Sequence, residues 1–167
     1  MDIIIERAGP SDAEALLTYL RQVGGETDNL TFGAEGLPFG VEAEERYLAG
    51  QESSRDEIML LAKENGKIIG TASLSRLPRR MSHRGDFGVS VVKSHWNRGI
   101  GSHLLENILA LAKENGFEII DLQVRSDNAA AIHLYEKYGF RKLCTYPAFF
   151  KIGTQPVDFE LMCLKLD

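Results

Sequence analysis

Between Val89 and Leu105 the chain reads VSVVKSHWNRGIGSHLL, and this stretch narrows the folds open to it more than any other. A β-branched run ends near Val92, the chain turns, and Gly99-Ile100-Gly101-Ser102 opens a helix over 100–115. That helix carries Ile100, Leu104, Ile108, Leu111 and Ala112 on one face and stops at Gly116. Glycines at such a turn let the backbone curl closely around a ligand. A helix start adds unpaired N–H groups at the positive end of its dipole. The unit suits a phosphate or pyrophosphate, and Arg98 can add a positive charge. Taken alone, Gly-x-Gly reads equally as a plain tight turn. It is not a dinucleotide fingerprint, because position 104 is Leu, and no Gly-Lys-Ser/Thr of a P-loop occurs.

The rest of the chain supplies strands before this unit and alternating elements after it. Ile3–Ile5 suits a strand. Ser11-Asp12-Ala13-Glu14 has the form of a capping box ahead of the stripe Leu16, Leu17 and Leu20, with Gly24-Gly25 as the expected helix end. Residues 26–40 lack periodicity and are rich in Gly and Pro, which predicts a long loop and a candidate substrate lid. A short helix is expected over Glu42–Ala49. Ile58–Ala62 and Ile68–Ser75 flank Glu64-Asn65-Gly66-Lys67, whose Asn-Gly pair signals a hairpin. Further strands are expected at Phe87–Val92, Ile119–Val124, Phe140–Thr145 and Val157–Leu166, with a helix over Asn128–Tyr138. The order β-α-α-β-β-β-α-β-α-β-β describes one α/β (α+β) domain over residues 1–167. Its sheet is mixed, mostly antiparallel and of about seven strands, with helices packed on both faces.

Charge excludes some functions. A net charge of −5 argues against broad nucleic-acid binding, which needs a basic surface. No apolar run reaches the length of a membrane span, and Met1–Arg7 lacks the basic start and apolar core of a secretion signal. Cys144 and Cys163 are too few for a disulfide framework and stand in no metal-ligand spacing. Two buried thiols, no metal and a cytoplasmic setting are therefore expected. Acidic residues crowd positions 26–57, and Arg76, Arg79, Arg80 and Arg84 follow. A solvated helix face and a polar loop explain them; alternatively the acids draw a cationic substrate and the arginines meet an anionic cofactor.

A second motif lies thirty residues beyond the glycine loop. Asn128-Ala129-Ala130-Ala131-Ile132-His133-Leu134-Tyr135-Glu136-Lys137-Tyr138-Gly139-Phe140 follows a strand, with Asp127 or Asn128 as the cap of its helix. Together with Trp96-Asn97-Arg98-Gly99-Ile100-Gly101, this pattern resembles the GNAT superfamily of N-acyltransferases. Its signature is Gln/Arg-x-x-Gly-x-Gly/Ala, then Asn-x-x-Ala-x-x-Leu-Tyr-x-x-x-Gly-Phe. The resemblance is close over residues 58–145. The one departure is Trp96, which stands where the signature begins with Gln or Arg.

The resemblance implies transfer of an acetyl group from acetyl-CoA to an amine-bearing acceptor, a cationic one if the acidic segment selects it. It implies a sheet splayed between strands 87–92 and 119–124, with the pantetheine arm in the gap. Main-chain groups of Val91 would pair with that arm, and an N–H of Val91 or Val92 would meet the oxyanion. The pyrophosphate would lie on Arg98–Ser102 beside Trp96 and Asn97, with Asn128 and Ala131 also against the cofactor. Tyr135 occupies the position of the general acid; alone it reads equally as a packed aromatic. An amine with pKa ~10.4 also needs a base. The closest match to the family's strand glutamate is Gly85. Asp86 is adjacent but on the opposite face, and His83, Glu26 and Asp28 are further candidates, the last two as substrate contacts. A homodimer is the expectation for assembly. The competing readings are a non-catalytic acyl-CoA sensor of the same fold and an unrelated anion-binding module.

Overall fold

The computed structural model describes residues 2–167; Met1, part of the stretch read above for a targeting signal, lies outside them. The elements are β1 (Ile3–Arg7), α1 (Ala13–Glu26), α2 (Val41–Gln51), β2 (Glu57–Glu64), β3 (Lys67–Arg76), β4 (Arg84–Val91), α3 (Ile100–Glu114), β5 (Ile119–Arg125), α4 (Ala129–Lys137), β6 (Arg141–Ile152) and β7 (Gln155–Lys165). The strands form one sheet in the order β1-β2-β3-β4-β5-β7-β6. Every neighbouring pair is antiparallel except β4 with β5. No helix among the described residues is long and apolar enough to cross a membrane.

Register assigns the two faces of the sheet. Gly70 and Thr71 are consecutive on β3, so they point to opposite sides. A Cβ on Gly70 would stand 3.1 Å from Leu104 and 3.3 Å from Ile100, so α3 packs on that face at close range. Thr71 instead shares a hydroxyl network with Ser90 and Tyr19 of α1. Helices α1 and α2, in mutual contact, therefore cover one face, and α3 with α4 the other. The core is aliphatic: Leu61, Ile69, Leu74, Leu104, Leu105, Ile108, Ile120 and Leu122 are almost fully buried. The β2–β3 hairpin turns through Asn65 (φ 52°) and Gly66 (φ 78°), the left-handed pair that an Asn-Gly turn requires.

Several local expectations are corrected. Helix α1 is entered through a short Pro10–Asp12 turn, in which the Asp12 carboxylate accepts the Gly9 N–H at 2.9 Å, so Ser11 and Glu14 form no capping box. Lys63 of β2 holds that carboxylate at 2.6 Å and draws it away from the helix start. Gly24-Gly25 does not end α1, which runs on to Glu26. Gly24 serves packing: a Cβ there would lie 2.1 Å from the carbonyl oxygen of Gly33, so the 27–40 loop folds back directly onto the helix. Strand β6 continues past Thr145 to Ile152, carried through Pro147 and Ala148 by a bulge opposite β7. Cys144 is exposed on this edge strand rather than buried, and Cys163 is half-buried.

Candidate active site

The sheet forks where its one parallel pairing stops. Strands β4 and β5 are joined only over Arg84–Asp86 and Ile119–Asp121; beyond that β4 keeps β3, and β5 keeps β7. The Val92 N–H donates to the Ile69 carbonyl at 3.0 Å, so Val91 and Gly70 form a pair that exchanges no hydrogen bonds. By the same alternation, Val89 and Val91 turn their main-chain N–H and C=O away from β3 and into the gap. Of the two residues expected to offer an oxyanion N–H, Val91 has its amide directed there. Val92 has spent its own on β3, and its side chain is buried in the core. The fork opens into a cleft of about 730 Å3.

One mouth of the cleft is the glycine loop. Asn97 (φ 62°) and Gly99 (φ 78°) both take the left-handed conformation, and nothing stands within 4 Å of the space a Gly99 side chain would fill. Asn97, Gly99, Ile100, Gly101 and Ser102 line the cleft. The Trp96 indole N–H donates to the Val91 carbonyl at 2.8 Å and ties the loop to the end of β4. Arg98 is turned outward onto Glu64 at 3.2 Å, and His95 meets the other oxygen of that carboxylate at 2.7 Å. The hydrogen bond from His95, followed by that from Arg98, holds the Glu64 carboxyl below the usual range. The loop is thus braced against the β2–β3 hairpin while its backbone stays open.

The other candidates separate clearly. Asn128 caps α4 by accepting the Ala131 N–H at 3.3 Å, and both residues line the cleft, as does Tyr135. The Tyr135 ring packs edge-on against Phe87 (centroids 6.2 Å) and against Phe140 (5.7 Å). Burial pushes its phenol up to about 12, and its hydroxyl has no hydrogen-bond partner among the described residues. Gly85 faces the core: a Cβ there would lie 2.7 Å from Leu74 and Phe117, so no carboxylate fits. Asp86 points to the opposite, cleft-lining face, half-buried, with Gln123 donating to its Oδ1 at 3.1 Å. Burial pushes the Asp86 carboxyl up, the bond from Gln123 opposes this, and neighbouring Asp121 adds to the rise.

His83 does not reach the cleft; its carbonyl accepts the Glu118 and Ile119 N–H groups at the closed end of the fork. The Glu26 carboxylate accepts the Lys93 N–H at 3.3 Å, and the Asp28 carbonyl accepts from Arg125 at 3.2 Å; neither residue lines the cleft. The loop after α1 contributes Thr27, Asn29, Leu30, Thr31 and Phe32 instead, all uncharged. Nor do the arginines of the 76–84 segment reach it. Arg76 pairs with Asp56 at 2.7 Å and lies over the Phe117 ring, and Arg84 holds Asp121 through two bonds of 2.7 and 2.8 Å.

Sequence reasoning missed Gln123, the cleft-lining Ser73, Ser75 and Ser90, and Phe149 and Phe159 from the last hairpin. A signal for part of this was available. Thr71, Ser73 and Ser75 put hydroxyls at every second position of an otherwise apolar strand, which marks one face of it as wet.

A forked, mixed seven-stranded sheet with a glycine loop opening a helix beside the fork is the acyl-CoA N-acyltransferase fold. Residues 27–140 match the acetyltransferase (GNAT) family, and the chain belongs to it. It is similar to an L-amino acid N-acetyltransferase of Escherichia coli, 39% identical over 85 residues, which is 48% of this chain and 51% of that protein. It is similar too to the N-alpha-acetyltransferase RimI of Mycobacterium tuberculosis, 30% identical over 93 residues, or 55% of this chain and 57% of that one. The matches thus span about half the length of these curated relatives. A GNAT-family acetyltransferase from Streptococcus pneumoniae superposes with a TM-score of 0.94 at 34% identity, covering 99% of this chain and 100% of that one. The yncA structure from Salmonella typhimurium, solved with acetyl-CoA, superposes at 0.86 with 21% identity, over 100% of this chain and 95% of that one.

Proposed function

We propose that this chain transfers the acetyl group of acetyl-CoA to a primary amine, the α-amine of an amino acid or of a protein N-terminus. The observation that carries the reading is one cleft with the open glycine loop at one mouth and both Asp86 and Tyr135 facing its interior. The relatives' names, which specify amino acids and N-alpha amines, support the choice of α-amines. The residues fit the cosubstrate. Backbone N–H groups from Gly99 onward take the pyrophosphate, and the gap-facing groups of Val89 and Val91 pair with the pantetheine arm as an added strand would. The Val91 carbonyl keeps a second lone pair beside the Trp96 bond.

In the reaction the amine nitrogen attacks the thioester carbon, and the carbonyl oxygen gains charge within reach of the Val91 N–H. Asp86 takes the amine proton, directly or through one water. The C–S bond then breaks and the thiolate departs. With a thiol pKa of ~8.5 it is a tolerable leaving group, while proton transfer from a phenol near 12 is uphill. Tyr135 therefore acts mainly as a hydrogen-bond donor to the developing thiolate, and it keeps its proton across the working range. A pair of ionisable groups in the cleft favours turnover over a sensor that only binds acyl-CoA.

Thiol release from acetyl-CoA, measured across L-amino acids, N-terminal tripeptides, polyamines and aminoglycosides, tests the reading. Release with α-amines, lowered roughly ten-fold or more in Tyr135→Phe, is expected. Acetyl-CoA binding without release to any amine would replace the enzyme with the sensor. A homodimer is supported by the exposed apolar side chains Leu143, Tyr146, Phe149 and Ile152 on edge strand β6. Sedimentation as a monomer would remove it.

A further inference from the structure

We infer that Gln123 is a positioning residue for the acyl transfer, clamping one carboxylate oxygen of Asp86 across the fork and leaving the other for the acceptor's amine. The inference rests on the acyl-transfer reading of the cleft. Asp86 and Asp121 form the last register pair before β4 and β5 part, and Gln123 lies two residues farther along β5 on the same face as Asp121. No main-chain ladder joins the strands there. The 3.1 Å bond from the Gln123 amide to Asp86 Oδ1 is a side-chain bridge spanning the point where the sheet opens. Both residues line the cleft. An ionised carboxylate only accepts, so the amide must present its N–H to Oδ1.

No other neighbour does this work. Arg84, two residues back on the same face of β4, is committed to Asp121 through both oxygens. Asp121 itself is a like charge. Ser75, opposite Asp86 on β3, donates its hydroxyl to Glu57 of β2 at 2.8 Å. Cys163 of β7 stands opposite Asp121, near Arg84. Among the described residues the Asp86 carboxylate receives a side-chain hydrogen bond from Gln123 and from no other group. Without it the aspartate would keep its burial and the nearby negative charge, and would lose both its fixed rotamer and its one compensating donor.

Three variants test the clamp: Gln123→Met removes the donor at similar volume, Gln123→Glu keeps the shape and substitutes a negative charge, and Asp86→Asn identifies the carboxyl signal. The first measurement needs no acceptor: the Asp86 carboxyl is titrated by 13C NMR in the full chain. Its midpoint should move to higher pH in Gln123→Met and further in Gln123→Glu. The second is kcat/KM against pH with the amine that releases most thiol. A loss of roughly ten-fold near neutral pH should narrow as pH rises, down to the part due to the unfixed rotamer, because Asp86 is ionised in parent and variant alike once pH exceeds both midpoints. The melting temperature shift given by acetyl-CoA should be unchanged. An unmoved Asp86 midpoint, or kcat/KM undiminished at every pH, overturns the inference. Undiminished activity in Asp86→Asn would be a different failure, that of Asp86 as the base, and would leave the NMR comparison to judge the bridge alone. If Gln123→Met does not fold, Gln123→Leu removes the donor without adding a charge and carries the same two readouts.

Discussion

Tyr19 and Tyr135 are buried on opposite faces of the sheet, and burial pushes both phenols up to about 12. Tyr19 exchanges a 2.8 Å hydrogen bond with Ser90, whose hydroxyl also meets Thr71, whereas Tyr135 is held by ring packing. An unfolded tyrosine releases its proton near pH 10. Between about pH 10 and 12 the folded chain therefore binds more protons than the unfolded one, and stability must fall as pH rises. Below pH 10 both states keep the proton and the contribution is complete. Each tyrosine adds up to about 1.4 kcal/mol per pH unit to the slope in that window. Urea unfolding of the parent and of Tyr135→Phe between pH 9 and 12 measures it: the variant's slope should be shallower by up to about 1.4 kcal/mol per pH unit. Parallel curves would mean that the Tyr135 ring is reached by water in the folded state.

The strand–loop–helix element from β4 to α3 holds its shape through backbone angles and a brace. Gly99 at φ 78° is the helix cap and stands in open space. A β-carbon there strains the left-handed backbone by about 1 kcal/mol or more and intrudes where the pyrophosphate must approach. Arg98 spends its charge on Glu64. Acetyl-CoA affinity, measured by calorimetry, should thus fall by more than roughly ten-fold in Gly99→Ala, about 1.4 kcal/mol, and by less in Arg98→Ala. The reverse ranking would move the phosphate contact from backbone to side chain. This element was legible in advance because its signals are local: a β-branched run, two glycines and a 3.6-residue apolar stripe. The entry to α1 was not, because Lys63, fifty-one residues away, decides what Asp12 does.

For the whole molecule, the fork divides the sheet between a β4 side and a β5 side joined by three register pairs. A ligand laid in the gap contacts both sides, so acetyl-CoA should stabilise the fold more than the same concentration of ADP, which offers the pyrophosphate without the pantetheine arm. At 100 times its Kd, acetyl-CoA adds about 2.7 kcal/mol, or several degrees in a chain of this size. Differential scanning calorimetry with each ligand checks this. Equal shifts at equal concentration would show that the gap contributes no binding.

Beside what the family resemblance of the second motif implied for Asn128 and Tyr135, the sequence by itself determined the order of elements, the hairpin at Asn65-Gly66 and the loop at Gly99. Those features follow from residue type and short-range periodicity, which a single chain displays openly. Tertiary structure decided that Asp86 and not Gly85 faces the cleft, that Val91 and not Val92 offers its amide, that Gln123 meets Asp86, and that Gly24 makes room for Gly33. Each depends on the register between segments far apart in the chain, and a shift of one residue in a strand reverses which side chain faces the gap. Nothing in the local sequence states that register. It is chosen by the pairing that buries the largest apolar face while leaving the fewest polar groups unbonded.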